Sequence, residues 1–188
     1  MTITLVGMPG CGKSTVGRHL ARHLGLRLVD SDHEIEKRIG MPIRNWFEAH
    51  GEAAFRDIEE EVIAQLCSGA QNLVLATGGG AVLRPANREH LRLGSHVFYL
   101  RSTPEELFRR LRHDTHRPLL QVADPLRRLR ELFRERDPLY RQTAHYVVET
   151  GRPSVPALVN MVLMQLELAG LVDPQQVPSP IDAAVRPG

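Results

Sequence analysis

One segment near the N-terminus constrains the fold of this chain more than any other. Residues 2–15 read TITLVGMPGCGKST, an apolar β-branched run followed at once by the pattern GxxxxGK[ST]. Glycines without a Cβ let successive backbone N–H groups curl around phosphate oxygens, and the positive N-terminus of a following helix attracts the same anion. A helical pattern, TVGRHLARHLG, does follow. The segment therefore predicts a strand, a phosphate-binding loop and a helix.

The polar residues of this loop have predicted partners in a bound nucleotide. Lys13 is expected to reach the β- and γ-phosphates, and the Ser14 hydroxyl to bind Mg²⁺. The predicted phosphate-binding residues are Gly10, Cys11, Gly12, Lys13, Ser14 and Thr15. Two alternatives stay open for Cys11. The N-terminus of the next helix could stabilise its thiolate and make it reactive, or the residue is a small, partly buried part of the loop and its thiol is inert.

The composition fits one globular domain of ordinary size. The chain has 188 residues, of which 42% are hydrophobic, and its two cysteines form no CxxC pair, so we expect a reduced compartment and no zinc site. No stretch of about 18 apolar residues and no signal-peptide pattern occurs, which predicts a cytoplasmic protein without a membrane partner. The net charge of +2 gives no reason to expect a nucleic-acid partner.

Strand and helix patterns alternate along the chain. Strands are predicted at 2–6, 27–30, 72–77, 96–100 and 145–150, and helices at 13–24, 32–40, 51–68, 104–112, 125–137 and 154–168. Nearly continuous apolar strands between amphipathic helices indicate an α/β fold, with a parallel sheet covered on both faces and ligands at the carboxyl ends of its strands. We expect one domain over 1–170. The polar, proline-rich residues 171–188 are expected to be disordered.

Two predicted strands end in residues suited to a ligand site. Asp30, Ser31 and Asp32 follow the second strand, where one carboxylate can face a metal and another a substrate hydroxyl. The alternative is helix capping, with Ser31 or Asp32 as the N-cap. The third strand ends in the triple glycine Gly78-Gly79-Gly80, at the same predicted edge of the sheet.

A third candidate lies within a predicted helix. Arg56 and Glu59 are three residues apart in FEAHGEAAFRDIEEE and therefore share a helix face. A surface ion pair of little energetic value is one interpretation. The other is a carboxylate receptor, because a glutamate that holds an arginine makes it rigid.

From Thr2 to about Gly170 the chain resembles the shikimate kinases. The resemblance is carried, in order, by GMPGCGKSTVGRHLA, VDSD, FEAHGEAAFRDIE, TGGGAV, RPLL from Arg117 and RDPLYR from Arg136. It implies a three-layer P-loop fold like that of nucleoside-monophosphate kinases, with a five-stranded parallel sheet. It also implies ATP as co-substrate, Mg²⁺, phosphorylation of the 3-hydroxyl of shikimate in aromatic amino-acid (chorismate) biosynthesis, and a monomer.

The resemblance assigns roles to individual residues on the substrate side. Asp32 would contact the ring hydroxyls of shikimate. The chemistry of phosphoryl transfer leaves two roles open for it there, to orient the reacting hydroxyl or also to accept its proton. Arg56 and Arg136 would bind its carboxylate, and Gly79, between Gly78 and Gly80, would offer a backbone donor. The substrate-binding region would cover about 31–60.

On the nucleotide side the resemblance assigns the metal, the lid and the adenine surroundings. Asp30 would orient a water on Mg²⁺ beside Ser14. Arg117 would close over the ATP phosphates from a lid at about 112–124, and with Lys13 and Asp32 it completes the implied catalytic set. Arg110 and Arg152, with Pro153, would lie near the adenine.

Two other functions are compatible with a phosphate-binding loop. A kinase of another small metabolite, such as gluconate, should lack Arg56 and Arg136 on either side of the triple glycine. A nucleotide switch of GTPase type should carry an NKxD motif, and none occurs in the 188 residues.

Overall fold

The computed structural model describes residues 1–69, 71–112, 122–151 and 154–176, which form an α/β fold with helices on both faces of a parallel sheet. The strands are β1 (Thr2–Val6), β2 (Arg27–Asp30), β3 (Leu73–Ala76), β4 (His96–Arg101) and β5 (Tyr146–Glu149). The helices are α1 (Lys13–Leu24), α2 (Ser31–Ile39), α3 (Ile43–His50), α4 (Glu52–Leu66), α5 (Pro85–Gly94), α6 (Pro104–Leu111), α7 (Pro125–Thr143) and α8 (Val155–Leu168). The predicted fold class is confirmed.

The sheet has the strand order β2-β3-β1-β4-β5, and every neighbouring pair is parallel. β1 and β3 are buried along their whole length, which explains their continuous apolar sequences. Because all strands run the same way, their carboxyl ends lie along one edge of the sheet. The phosphate-binding loop follows β1 there, Asp30 ends β2, and the triple glycine follows β3.

Two helices were not predicted from the sequence. α3 has only eight residues and none of them is fully buried, so its sequence shows too few turns of apolar spacing to predict a helix. α5 begins at Pro85, but Asn87 and Leu91 are its only buried residues, which leaves almost no apolar stripe to recognise.

α7 is six residues longer than predicted, because Pro138 does not end it. Proline lacks the N–H that would bond to the carbonyl one turn earlier, and it usually breaks or kinks a helix. Here Tyr140 and Thr143, both beyond Pro138, are buried. Their packing keeps the chain helical across the lost hydrogen bond.

The apolar interior has two parts. The larger cluster fills the space between the sheet and its flanking helices. A smaller one, built on Ile35, Phe55 and Val62, joins α2, α3 and α4 beside the sheet. Those three helices occupy the predicted substrate-binding region.

The chain beyond α8 remains packed for a few residues. Leu171 and Val172 lie against the larger core cluster, and Pro174–Gln176 forms one short 3₁₀ turn. The rest of the predicted tail, 177–188, lies outside the described residues, as do 113–121 of the predicted lid. Within the described part of the chain no helix has the length and apolar character needed to cross a membrane.

Candidate active site

The phosphate-binding loop adopts a backbone that only glycines tolerate at two of its positions. Gly10 and Gly12 have φ angles of 83° and 98°, in the left-handed region. A Cβ at Gly10 would also lie 2.8 Å from the Leu111 side chain. The loop therefore packs tightly against Leu111 just before α1 begins.

The Lys13 side chain folds back onto this loop. Its ammonium donates hydrogen bonds to the Gly7 carbonyl at 2.7 Å and to the Met8 carbonyl at 2.9 Å, and the residue is only 8% exposed. The two carbonyls therefore hold the ammonium at the loop, where a bound phosphate would have to compete with them for it.

A cavity of about 460 Å³ opens in front of the loop. It is lined by Pro9, Gly10, Gly12, Lys13, Ser14, Thr15, Asp30, Asp32, Thr77, Gly78 and Gly79. Loop, strand-end acids and glycines thus meet in one space, as the sequence predicted for the carboxyl edge of the sheet.

Asp30 has two contacts that bear on its role. Its Oδ1 accepts a hydrogen bond from Asp32 N at 2.9 Å, so Asp30 is the N-cap of α2 and the capping alternative for Ser31 or Asp32 is wrong. Its Oδ2 accepts a hydrogen bond from Ser14 Oγ at 3.5 Å. One carboxylate therefore both caps a helix and faces the loop serine.

Asp32 sits in surroundings that oppose its negative charge. Burial, followed by the charges of Asp30 and Glu59, raises its pKa to about 6, while Lys13 acts in the opposite direction. A carboxylate with this pKa is mostly ionised near neutral pH and still basic enough to accept a proton.

Each residue of the triple glycine faces a different predicted substrate residue. A Cβ at Gly78 would lie 2.6 Å from Asp32 Oδ1, one at Gly79 would lie 3.1 Å from Arg136 Nη1, and one at Gly80 would lie 2.7 Å from Arg56 Cζ. The absence of side chains on this loop is what lets all three polar groups approach its backbone.

Arg56 is held by acidic and aromatic neighbours. Its Nη1 donates to Glu59 Oε1 at 2.9 Å, its Nη2 lies 3.6 Å from Glu52 Oε1, and its guanidinium lies 5.1 Å from the centre of the Phe55 ring. Arg56 is 13% exposed and Glu59 only 1%. The pair is therefore not the surface ion pair that the sequence left open.

Burial raises the pKa of Glu59, and the charges of Arg56, Arg136 and Arg84 oppose that rise.

The two arginines Arg56 and Arg136 share an unusual feature, since the Nε of each is buried without a hydrogen-bond partner in the described structure. Orphaned buried donors on cations are costly unless an anion completes them.

Ser31 and Tyr140 were not predicted as site residues. Ser31 Oγ accepts a hydrogen bond from Gly78 N at 3.1 Å, and Tyr140 Oη donates to the Gly79 carbonyl at 2.5 Å. Both lie inside the motifs already quoted, VDSD and RDPLYR. Their contacts with the triple glycine could not be predicted, because a side chain that bonds to backbone groups leaves no pattern of charges in the sequence.

Arg110 links the phosphate-binding loop to the loop after β5. Its guanidinium donates to the Cys11 carbonyl at 3.3 Å and to the Thr150 carbonyl at 2.7 Å. This places Arg110 between the phosphate-binding loop and the end of β5. Arg152 and Arg117 lie outside the described residues.

Cys11 is buried within the loop. It is 1% exposed and belongs to the main core cluster, and Lys13 Nζ lies 3.7 Å from its Sγ. This arrangement favours the small buried loop residue over the exposed reactive thiol. Burial raises the pKa of the other thiol, Cys67, to about 11.

Comparison with known proteins identifies close relatives along nearly the whole chain. The family model described as Shikimate kinase matches residues 9–167. The chain is 60% identical over 176 residues to a shikimate kinase of Paracidovorax citrulli, covering 93% of this chain and 96% of the relative. It is 53% identical over 184 residues to that of Ralstonia nicotianae, covering 98% and 96% respectively.

Solved structures show the same likeness. The shikimate kinase of Acinetobacter baumannii in complex with shikimate has a TM-score of 0.83 and 46% identity, covering 92% of this chain and 95% of that one. A gluconokinase of Sinorhizobium meliloti has a TM-score of 0.56 and 19% identity, covering 89% and 92%. The second likeness concerns the fold alone.

Proposed function

This chain belongs to the shikimate kinase family, and on that premise we propose how its own residues transfer the γ-phosphoryl group of ATP to the 3-hydroxyl of shikimate. The products are shikimate 3-phosphate and ADP, and the reaction belongs to the shikimate pathway of aromatic amino-acid biosynthesis.

The observation that carries the assignment of the substrate residues is the pair of orphaned arginine nitrogens. Arg56 Nε and Arg136 Nε are buried and find no hydrogen-bond partner among the described residues, and the guanidinium groups approach neighbouring glycines of one loop. A substrate carboxylate would satisfy planar donors of this kind through bidentate hydrogen bonds. We therefore assign the shikimate carboxylate to Arg56 and Arg136, with the Gly78–Gly80 backbone beside it.

The reacting hydroxyl is assigned to Asp32. This carboxylate lies against Gly78 in the same cavity as the phosphate-binding loop, and its raised pKa suits a proton acceptor. Phosphoryl transfer demands chiefly in-line positioning and charge neutralisation, so Asp32 orients the hydroxyl and accepts its proton as the bond to phosphorus forms.

The ATP phosphates are assigned to the loop residues Gly10–Thr15. Lys13 would leave the loop carbonyls for the β- and γ-phosphates and neutralise charge that develops during transfer. Arg110, which already contacts the loop and Thr150, is proposed for the adenine side together with Arg152. Arg117 is proposed to add a second cation from the lid at about 112–124.

The residues near Ser14 fit a magnesium ion. Ser14 Oγ and Asp30 Oδ2 are oxygen donors 3.5 Å apart, and the described residues contain no larger metal-ligating cluster. Mg²⁺ prefers such sparse oxygen sites, because it keeps several waters and takes phosphate oxygens as further ligands. Ser14 would bind the ion directly and Asp30 through a water. Bound there, Mg²⁺ supplies charge neutralisation of the phosphates.

The proposal also covers the organisation and the location of the protein. Residues 1–170 are proposed to form the single catalytic domain, with substrate bound by about 31–60, and 171–188 to be a C-terminal tail whose first residues, Leu171 and Val172, pack on the core. Cys11 and Cys67 are both unpaired, which supports a reducing compartment such as the cytoplasm. We also propose a monomer without nucleic-acid or membrane partners, in keeping with the small net charge of +2.

Calorimetry with a modified substrate tests the assigned carboxylate site. Shikimate methyl ester retains the ring hydroxyls but lacks the charge that Arg56 and Arg136 would bind. We expect it to bind at least about tenfold more weakly than shikimate, since hydrogen bonds to charged groups are worth about 1.5–3 kcal/mol. Equal affinity for the two compounds would contradict the assignment.

A further inference from the structure

All three carbonyl oxygens of the triple glycine accept a hydrogen bond. The Gly78 carbonyl accepts from Ala81 N, and the Gly80 carbonyl accepts from Leu83 N, each at 3.1 Å. The middle carbonyl, that of Gly79, accepts from Tyr140 Oη at 2.5 Å. The outer glycines are thus tied within their own loop, whereas the middle one is tied to a side chain of α7.

The Tyr140 hydroxyl also has a cationic neighbour. Arg136 lies one helical turn earlier on α7, its Nη1 lies 3.1 Å from the point that a Cβ of Gly79 would occupy, and its positive charge acts on the Tyr140 hydroxyl. A tyrosine hydroxyl has one donor and can also accept, so it can donate to the Gly79 carbonyl while it accepts from the guanidinium. Burial raises the pKa of Tyr140, which keeps the donor proton in place.

We propose that Tyr140 is a positioning residue for shikimate, whose hydroxyl joins the Arg136 guanidinium to the Gly79 carbonyl and so fixes the distance between them. This inference rests on the proposed binding of the shikimate carboxylate by Arg136. Tyr140 need not touch the substrate, because it acts through two groups that do.

The physical reason is the cost of ordering the site. Glycine backbone and arginine side chains are among the most flexible parts of a chain, and both lose that freedom when a ligand binds. A hydroxyl that holds both beforehand lowers the cost of binding. Because the gain concerns the bound ground state, loss of the hydroxyl should raise KM for shikimate and change kcat little.

Tyr99 provides a matched control. It is also fully buried, its ring lies 4.9 Å from that of Tyr140, and its hydroxyl donates to Asp137 Oδ1 at 2.6 Å. Phenylalanine at either position keeps the ring and removes one short hydrogen bond. Only the change at Tyr140 removes a contact with Gly79 and Arg136.

The experiment compares Tyr140→Phe with Tyr99→Phe in steady-state kinetics and thermal melting. We expect Tyr140→Phe to raise KM for shikimate about five- to tenfold, with KM for ATP unchanged, as a net hydrogen bond of about 1 kcal/mol predicts. Tyr99→Phe should lower the melting temperature by about as much as Tyr140→Phe does, but leave KM for shikimate unchanged. An unchanged KM for shikimate in Tyr140→Phe, or the same rise in both variants, would overturn the proposal.

A double-mutant cycle separates this inference from the proposed function. If Tyr140 acts through Arg136, then Tyr140→Phe should raise KM less than about twofold once Arg136→Lys is present. Effects that simply multiply would show an independent structural role and refute the proposal. Arg136→Lys alone tests the carboxylate assignment, and an unchanged KM for shikimate there would contradict the proposed function itself.

A measurement on the unaltered protein covers the case in which Tyr140→Phe does not fold. The chain has three tyrosines, so labelling each at 13Cζ gives few resonances, which Tyr99→Phe and Tyr146→Phe assign. Shikimate should shift the Tyr140 resonance more than the other two. A Tyr140 resonance that does not move when shikimate saturates the protein would refute the proposal.

Discussion

At the scale of single residues, the site depends on charged groups held in conditions that disfavour them. Arg56 is 13% exposed and paired with the buried Glu59, yet its Nε has no partner in the described structure. Asp32 carries a pKa of about 6 because burial and two nearby acids oppose its ionisation. Such arrangements cost stability in the unliganded protein, and under the proposed function the shikimate carboxylate would offset that cost at Arg56.

Arg56→Lys should raise KM for shikimate about ten- to a hundredfold and leave KM for ATP unchanged. An ammonium keeps the charge but cannot make the planar bidentate contact with a carboxylate. Arg84→Lys is the control, because Arg84 also pairs with an acid of α4, Asp57 at 2.6 Å, but does not line the cavity. A larger effect on ATP than on shikimate would show that Arg56 serves the nucleotide instead.

Asp32→Asn should stabilise the free protein at neutral pH while it abolishes activity. The folded-state pKa of about 6 exceeds the ordinary 3.8, so the folded protein binds more protons between these values. The free energy of unfolding contributed by Asp32 therefore falls as pH rises through that window, by about 1–3 kcal/mol in all.

The check for Asp32 is chemical unfolding without nucleotide or Mg²⁺. Asp32→Asn should gain stability over the unaltered protein at about pH 7, and the gain should shrink toward about pH 4. A stability difference that does not depend on pH would show that Asp32 ionises freely in the fold.

At the scale of elements, two loops and the start of α2 lie at the carboxyl edge of the sheet, and α4 and α7 bring Arg56 and Arg136 to them. The phosphate-binding loop, the start of α2 and the triple glycine each follow a parallel strand, and their positions could be predicted from strand patterns and glycine motifs. α3 and α5 could not, because one is very short and the other buries only Asn87 and Leu91. The length of α7 was also missed, since the burial of Tyr140 and Thr143 beyond Pro138 is a tertiary property.

Gly80→Ala should weaken shikimate binding by moving Arg56. The added Cβ would lie 2.7 Å from Arg56 Cζ, so the guanidinium has to leave its place beside Glu59. We expect calorimetry to show at least about a tenfold loss of shikimate affinity with nucleotide affinity retained.

Gly40→Ala is the control for backbone strain. Gly40 ends α2 with a φ of 72° and open space around it, so alanine there costs about 1–2 kcal/mol of stability without approaching the site. If Gly80→Ala retains full shikimate affinity, Arg56 does not need the position that the structure gives it.

At the scale of the whole molecule, the parallel sheet brings distant parts of the chain to one edge. Asp32, Arg56, Gly79 and Arg136 span more than a hundred residues of sequence and meet beside one loop. The order of the motifs indicated the family and its substrate. The pairing of Arg56 with Glu59 followed from their spacing of three residues. Its burial and the backbone contacts of Ser31 and Tyr140 required the three-dimensional arrangement, because burial and backbone partners are not visible in residue order.

The most direct test of the account is a coupled assay of ADP release with shikimate or gluconate as acceptor. The unaltered protein should release ADP with shikimate and not with gluconate, which lacks the ring that places a hydroxyl at Asp32 while its carboxylate meets Arg56 and Arg136. Lys13→Ala should lower the shikimate-dependent rate by about a hundredfold or more. ADP release that is equal with gluconate, or that needs no acceptor, would contradict the account.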